Sequence, residues 1–140
     1  MTEKQKQILL AQYRLKQAEE SLDEASFLFT GRKSPRSIIN RVYYAMFYAV
    51  LALLIFEDYA SSKHAGVISY FNRRFIKGGI FSEELGRSIN SAFELRQRGD
   101  YREYVEFTCE EIEPFIEKAR LFVQEVKGYL ERVVFGEDRI

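Results

Sequence analysis

Between Arg41 and Glu57 the chain has no charged side chain, and the stretch Asn40-Arg41-Val42-Tyr43-Tyr44-Ala45-Met46-Phe47-Tyr48-Ala49 sets one arginine and three tyrosines at the head of that run. A helix turning about 100° per residue places Arg41, Tyr44, Ala45 and Tyr48 on one stripe and Tyr43, Phe47, Val50 and Leu54 on the opposite one. A rod that is apolar nearly all round must be enclosed by other helices. An arginine entering such a core has to find a partner or sit at its wet mouth.

The run from Val42 to Phe56 spans 15 residues, about 22 Å of helix against about 30 Å of hydrocarbon, too short to cross a bilayer. Glu3, Lys4, Gln5, Lys6 and Gln7 lead only into Ile8, Leu9 and Leu10 before polar positions resume, unlike a secretory signal. A cytoplasmic protein without a membrane role is expected. The single cysteine, Cys109, allows neither an intrachain disulfide nor a cysteine metal cluster, in keeping with a reducing compartment.

With 140 residues, 46% of them hydrophobic, the chain can bury a core without staples, so one domain over residues 1–140 is expected, its tail fraying after about 134. The formal charge is zero but unevenly spread. Residues 31–82 carry eight basic and two acidic side chains, whereas residues 103–140 carry ten acidic and five basic. Such a dipole can steer an anion to one end, support a self-complementary dimer, or reflect no more than solvated helix faces.

Ile8, Ala11, Leu15, Ala18, Leu22, Ala25 and Phe29 alternate at intervals of three and four, the seam of a long first helix that should stop at Gly31. Ser34-Pro35 opens a second helix antiparallel to it. Ser61 and Ser62 offer an N-cap to a third, with Val67, Ile68, Phe71 and Phe75 facing inward and Gly78-Gly79 ending it. Ser82-Glu83-Glu84 starts a fourth, whose Leu85, Ile89, Ala92 and Phe93 face in before a stop at Gly99. Thr108 and Glu111 form a capping box for a last helix carrying Ile112, Phe115, Ile116, Ala119, Phe122, Val123, Val126 and Leu130. Pro114 would remove a hydrogen bond there, which predicts either a start near Glu113 or a bend. No two-residue alternation marks a strand, so the fold class is all-α, an up-and-down bundle of four to five helices.

The chemistry is defined partly by exclusion. His64 is the sole histidine, no histidine/cysteine zinc constellation exists, and no phosphate-cradling glycine loop follows a strand, so neither metal nor cofactor is expected. Two polar groups remain. The first joins Arg41, Tyr44 and Tyr48 with His64, if the third helix folds back on the second. His64 in a first helical turn faces the positive end of the dipole, which disfavours its cation. The group either fixes the hairpin or forms a site. The second group lies in Glu94-Leu95-Arg96-Gln97-Arg98-Gly99-Asp100-Tyr101-Arg102-Glu103-Tyr104, where arginines with tyrosines either clamp a phosphate and stack a base or cap a helix end through an Arg/Asp pair.

Taken in order, Asn40 to Ala49, Lys63-His64-Ala65-Gly66-Val67 and Leu95-Arg96-Gln97-Arg98-Gly99-Asp100-Tyr101 resemble the HEPN superfamily, from about residue 10 to about residue 130, and most closely its small stand-alone prokaryotic branch with an R-x-Y-Y-A helix. The resemblance implies a bundle of four or five helices, commonly a homodimer, often encoded beside a minimal nucleotidyltransferase as a toxin and antitoxin pair. Many members are metal-independent ribonucleases whose motif is an arginine, four to six residues, then histidine. Arg96 and Gln97 match the start of that motif, but the histidine positions hold Tyr101, Arg102 and Glu103. Cleavage through a 2′-hydroxyl needs a proton acceptor near neutrality, and tyrosine titrates near pH 10. The reading is therefore a module that binds a nucleotide, RNA or a nucleotidyltransferase partner through Arg41, Tyr44, His64, Arg96, Arg98, Asp100 and Tyr101. The alternatives are a divergent ribonuclease using Arg96 with His64 or Tyr101, and a non-catalytic dimerisation domain.

Overall fold

The computed structural model describes residues 1–101 and 106–136, the side chain of Tyr101 excepted. Five helices follow in order: α1 (Glu3–Thr30), α2 (Pro35–Leu54), α3 (His64–Phe71, prolonged by a π-helical turn Asn72–Ile76), α4 (Glu83–Tyr101) and α5 (Cys109–Tyr129, prolonged by a π-helical turn Leu130–Phe135). Among the described residues there is no strand, as the lack of two-residue alternation predicts.

The first helix is capped by a Thr2/Gln5 box and buries Ile8, Ala11, Leu15, Ala18, Leu22 and Ala25, the seam read from its spacing. It ends where Gly31 signals an end, but Gly31 itself stays at φ −79°, and Arg32 takes the left-handed conformation at φ 54°. A Gln7 side-chain amide donates to the Ile55 carbonyl at 3.3 Å, so the start of α1 lies beside the end of α2 and the pair is antiparallel. The ion pairs Arg32–Glu110 and Glu19–Lys127 likewise set α5 antiparallel to α1. Gly99 of α4 lies against Arg36 of α2, completing an up-down-up-down bundle.

The central rod is α2. Twelve of its twenty side chains are buried, against α1, α4 and α5. Each large apolar side chain so buried contributes about 1.5–3 kcal/mol relative to exposure. The helix begins at Pro35, well before the uncharged run, and by length and composition alone reaches the size of a membrane span, longer than a count from Val42 allows. Its burial by neighbouring helices accounts for its apolar surface without lipid.

Three expectations are corrected. The third helix begins at His64 with Lys63 as N-cap, because Ser61 spends its hydroxyl accepting from the Lys63 amide at 3.1 Å instead of capping the helix. The fourth runs through Gly99 to Tyr101, since Gly99 serves packing, not termination. The Thr108/Glu111 box does start α5, at Cys109, so the helix does not wait for Glu113. Burial of Ile112 and Ile116 on either side of Pro114 offsets the one lost backbone bond. At the far end the π-helical turn closes with Phe135, whose buried ring packs edge-on against Phe56.

Candidate functional site

The site forms where α4 ends over the first half of α2. That approach needs Gly99: a Cβ there would lie 3.2 Å from the Phe107 ring and 3.3 Å from Arg36 Cγ. One turn before it, Arg96 extends its guanidinium over two tyrosines, 5.1 Å from the ring centres of both Tyr43 and Tyr44. Arg41 approaches the same Tyr44 ring at 5.2 Å. Two cations therefore share one aromatic side chain, each contact contributing on the order of 0.5–1 kcal/mol, more where water is excluded.

Each arginine lies beside a carboxylate. Arg41 donates from Nε and Nη2 to Asn40 Oδ1 at 3.1 and 2.8 Å, and its Nη1 lies 3.6 Å from Glu24 on α1. Arg96 Nε is 3.3 Å from Asp100 Oδ2, close enough for charge attraction, but this buried Nε–H has no well-aligned acceptor among the described residues. Leu28, Arg36, Ser37, Asn40, Arg41 and Asp100 line an open recess of about 370 Å³ at this end of the bundle.

On the inner side stands His64, the first residue of α3. Its ring stacks on Phe47 with centres 4.1 Å apart, and its Nδ1 lies 2.8 Å from the Tyr43 hydroxyl. Tyr43 is fully buried, and burial raises its hydroxyl far above the ordinary tyrosine range, although the Arg96 charge pulls the other way. The hydroxyl thus keeps its proton and needs an acceptor, which His64 Nδ1 provides. This assigns the imidazole hydrogen to Nε2. Burial, and then the positive charge of Arg96, hold His64 below its ordinary pKa of 6.5, so near neutrality the ring is uncharged and its outer nitrogen is a donor.

Of the residues singled out in the sequence, Arg41, Tyr44, His64, Arg96 and Asp100 form one chain of contacts, with Tyr48 packed on Tyr44 at 5.6 Å; Arg41 and Asp100 line the recess, and Arg96, Tyr44 and His64 connect to it through them. Arg98 does not join them. It turns the opposite way, pairs with Glu94 at 4.0 Å and lines a separate groove with Phe107 and Phe115, because a helix sets residues two apart on different faces. The Tyr101 side chain lies outside the described residues, as do Arg102 and Glu103. Sequence reasoning passed over Tyr43 and Arg36. A tyrosine on the inward stripe of an otherwise apolar rod was the available signal, since a buried hydroxyl demands a partner. Among the described residues no three histidine, cysteine or carboxylate side chains are grouped to hold a metal.

Residues 11–129, which span the whole of this arrangement, match the HEPN domain profile. The chain belongs to the HEPN family. It is 42% identical to the UPF0332 protein of Thermotoga maritima over 131 residues, covering 94% of this chain and 96% of that relative. Two proteins of Methanocaldococcus jannaschii, each carrying the name "putative toxin", are similar to it. One is 34% identical over 89% of this chain and 85% of its own length, the other 38% identical over 84% and 86%. These likenesses extend over most of each molecule, so the HEPN assignment applies to the bundle as a whole.

Proposed function

We propose that this HEPN protein is a toxin-like module that binds the phosphate of a nucleotide or an RNA end in the recess, with weak or no hydrolytic activity of its own. The observation that carries the reading is the Tyr43–His64 hydrogen bond at 2.8 Å. It occupies the one imidazole lone pair that a general base would use, and leaves a neutral ring offering an N–H. Arg41 and Arg96 supply charge for phosphate oxygens, and Arg36 adds a third guanidinium at the rim. Tyr44, already stacked against two cations, offers a plane beside which a base can settle.

Titration of nucleotides and short RNAs against wild type and Arg96→Ala tests it. Loss of one charge-assisted phosphate contact, worth about 1.5–3 kcal/mol, weakens binding roughly 10- to 100-fold. Equal, weak responses from both proteins would remove the recess from consideration.

The nearness of Arg96 to His64 across Tyr43 favours one second reading, a divergent metal-independent ribonuclease that uses His64 together with Arg96, the guanidinium steadying the phosphate. The toxin naming of the relatives fits it as well. Purified protein would then cut RNA in EDTA, and expression would arrest growth. Cutting that survives both Arg96→Ala and His64→Gln would belong to a contaminant. A cytoplasmic location, a homodimer and a minimal nucleotidyltransferase partner accompany either version as part of the family resemblance.

A further inference from the structure

We propose that the outer face of α3 and its π-helical extension forms a track for single-stranded RNA, leading away from the recess past His64. The inference rests on the phosphate-binding reading above and extends its ligand from a nucleotide to a strand.

From Tyr59 to Ser82 the chain has Lys63, Arg73, Arg74 and Lys77 and no carboxylate. Glu57, at the border of this region, is already engaged: it accepts from the Tyr70 hydroxyl at 2.7 Å and from Arg74 Nε at 3.0 Å. That pairing neutralises Arg74. Lys63, Arg73 and Lys77 are exposed and have no carboxylate partner among the described residues. Lys63 directly precedes His64, so the basic face begins beside the imidazole.

Aromatic planes are interleaved with those charges. Tyr59 stacks on Tyr70 with ring centres 4.3 Å apart and planes within 10° of parallel, and the Arg73 guanidinium lies 5.3 Å from the Tyr70 centre. Tyr59 covers one face of Tyr70, and the Arg73 side chain beside that ring is exposed to solvent. The stack is anchored at Gly66, where a Cβ would meet Ser61 Oγ at 2.8 Å and the Tyr59 hydroxyl at 3.0 Å. An arginine set against a ring, without a carboxylate partner, and flanked by lysines suits unstacked bases and their phosphates. A purely acidic protein surface would use the charges but not the plane.

Fluorescence anisotropy with a mononucleotide and with a labelled single-stranded RNA oligomer, each measured across salt concentrations, provides the test. In the combined variant Lys63→Gln, Arg73→Gln, Lys77→Gln, the oligomer should bind more weakly, with the slope of log K against log salt reduced by about 2, as expected for three lost phosphate contacts on a single strand. Mononucleotide binding should be unchanged. Arg73→Lys should weaken the oligomer several-fold at constant slope, because charge stays and the plane is lost. Oligomer binding that depends on Arg96 but has the same slope in the combined variant overturns the track and leaves the recess standing. Polyglutamate competing as well as RNA also overturns it. Failure of wild type to bind either ligand removes both readings.

Discussion

Tyr43 and His64 show how one buried hydroxyl settles the chemistry of its neighbour. The Tyr43 ring is in contact with Tyr44, Phe47, His64 and Phe93, so its proton has no route to water and goes to the imidazole. Because the folded-state pKa of His64 lies below its unfolded value of 6.5, the unfolded chain takes up a proton that the folded chain resists. The resulting stability is fully present above about pH 6.5 and is lost as the pH falls through the folded value. With a single histidine in the chain, one imidazole NMR resonance reports the titration. Its midpoint should lie below 6.5, and the melting temperature of His64→Gln should depend less on pH than that of wild type between pH 7 and 5. A midpoint at or above 6.5 would contradict the burial of the imidazole beside Arg96. Tyr43→Phe, which leaves the imidazole without its partner, should cost on the order of 1 kcal/mol in a denaturant titration.

At the scale of elements, helix starts and stops were largely legible, while the roles of glycines were not. Thr108 and Glu111 announce α5 because a capping box satisfies two backbone donors locally, whatever surrounds it. Gly99 reads locally as a stop yet lies inside α4, where the absence of a side chain lets the helix touch Arg36 and Phe107. Gly99→Val should therefore destabilise by about 1–3 kcal/mol and also weaken nucleotide binding, since it pushes α4, with Arg96 and Asp100, away from α2. A variant as stable as wild type with unchanged binding would show that the contact does not set the recess. The π-helical turn after Phe71 had no sequence signal: it keeps both Phe71 and Phe75 in the core, a choice made by the packing of Phe81, Phe122 and Tyr129 around them.

Across the whole molecule the recess is an assembly of three helices: Leu28 comes from α1, Arg36 and Arg41 from α2 and Asp100 from α4, with Glu24 paired to Arg41 and Arg96 to Asp100 beside it. Its carboxylates hold the arginines in place and also compete with an incoming phosphate. Glu24 is more than half exposed, so its pairing with Arg41 is weak, on the order of 0.2–1 kcal/mol. Glu24→Gln should accordingly tighten nucleotide binding by about 1.4- to 5-fold while lowering the melting temperature by no more than about 3 °C. Weaker binding in that variant would mean that Glu24 positions Arg41 instead of opposing the ligand. The uneven charge along the chain acts at the same scale, with residues 31–82 mostly basic and residues 103–140 mostly acidic.

Periodicity alone determined that this chain makes helices, how many, and which stripes face inward, because those properties follow from repeat lengths a short window contains. The family motifs supplied the arginines. Which arginine faces the tyrosines was decided by tertiary structure: Arg96 and Arg98 are two residues apart, and only the docking of α4 on α2 selects the first. The protonation of His64 was decided in the same way, since the hydroxyl that fixes it comes from a residue 21 positions away. A helix records its own period, but the identity of a partner across a core depends on the angle and depth at which separate helices meet.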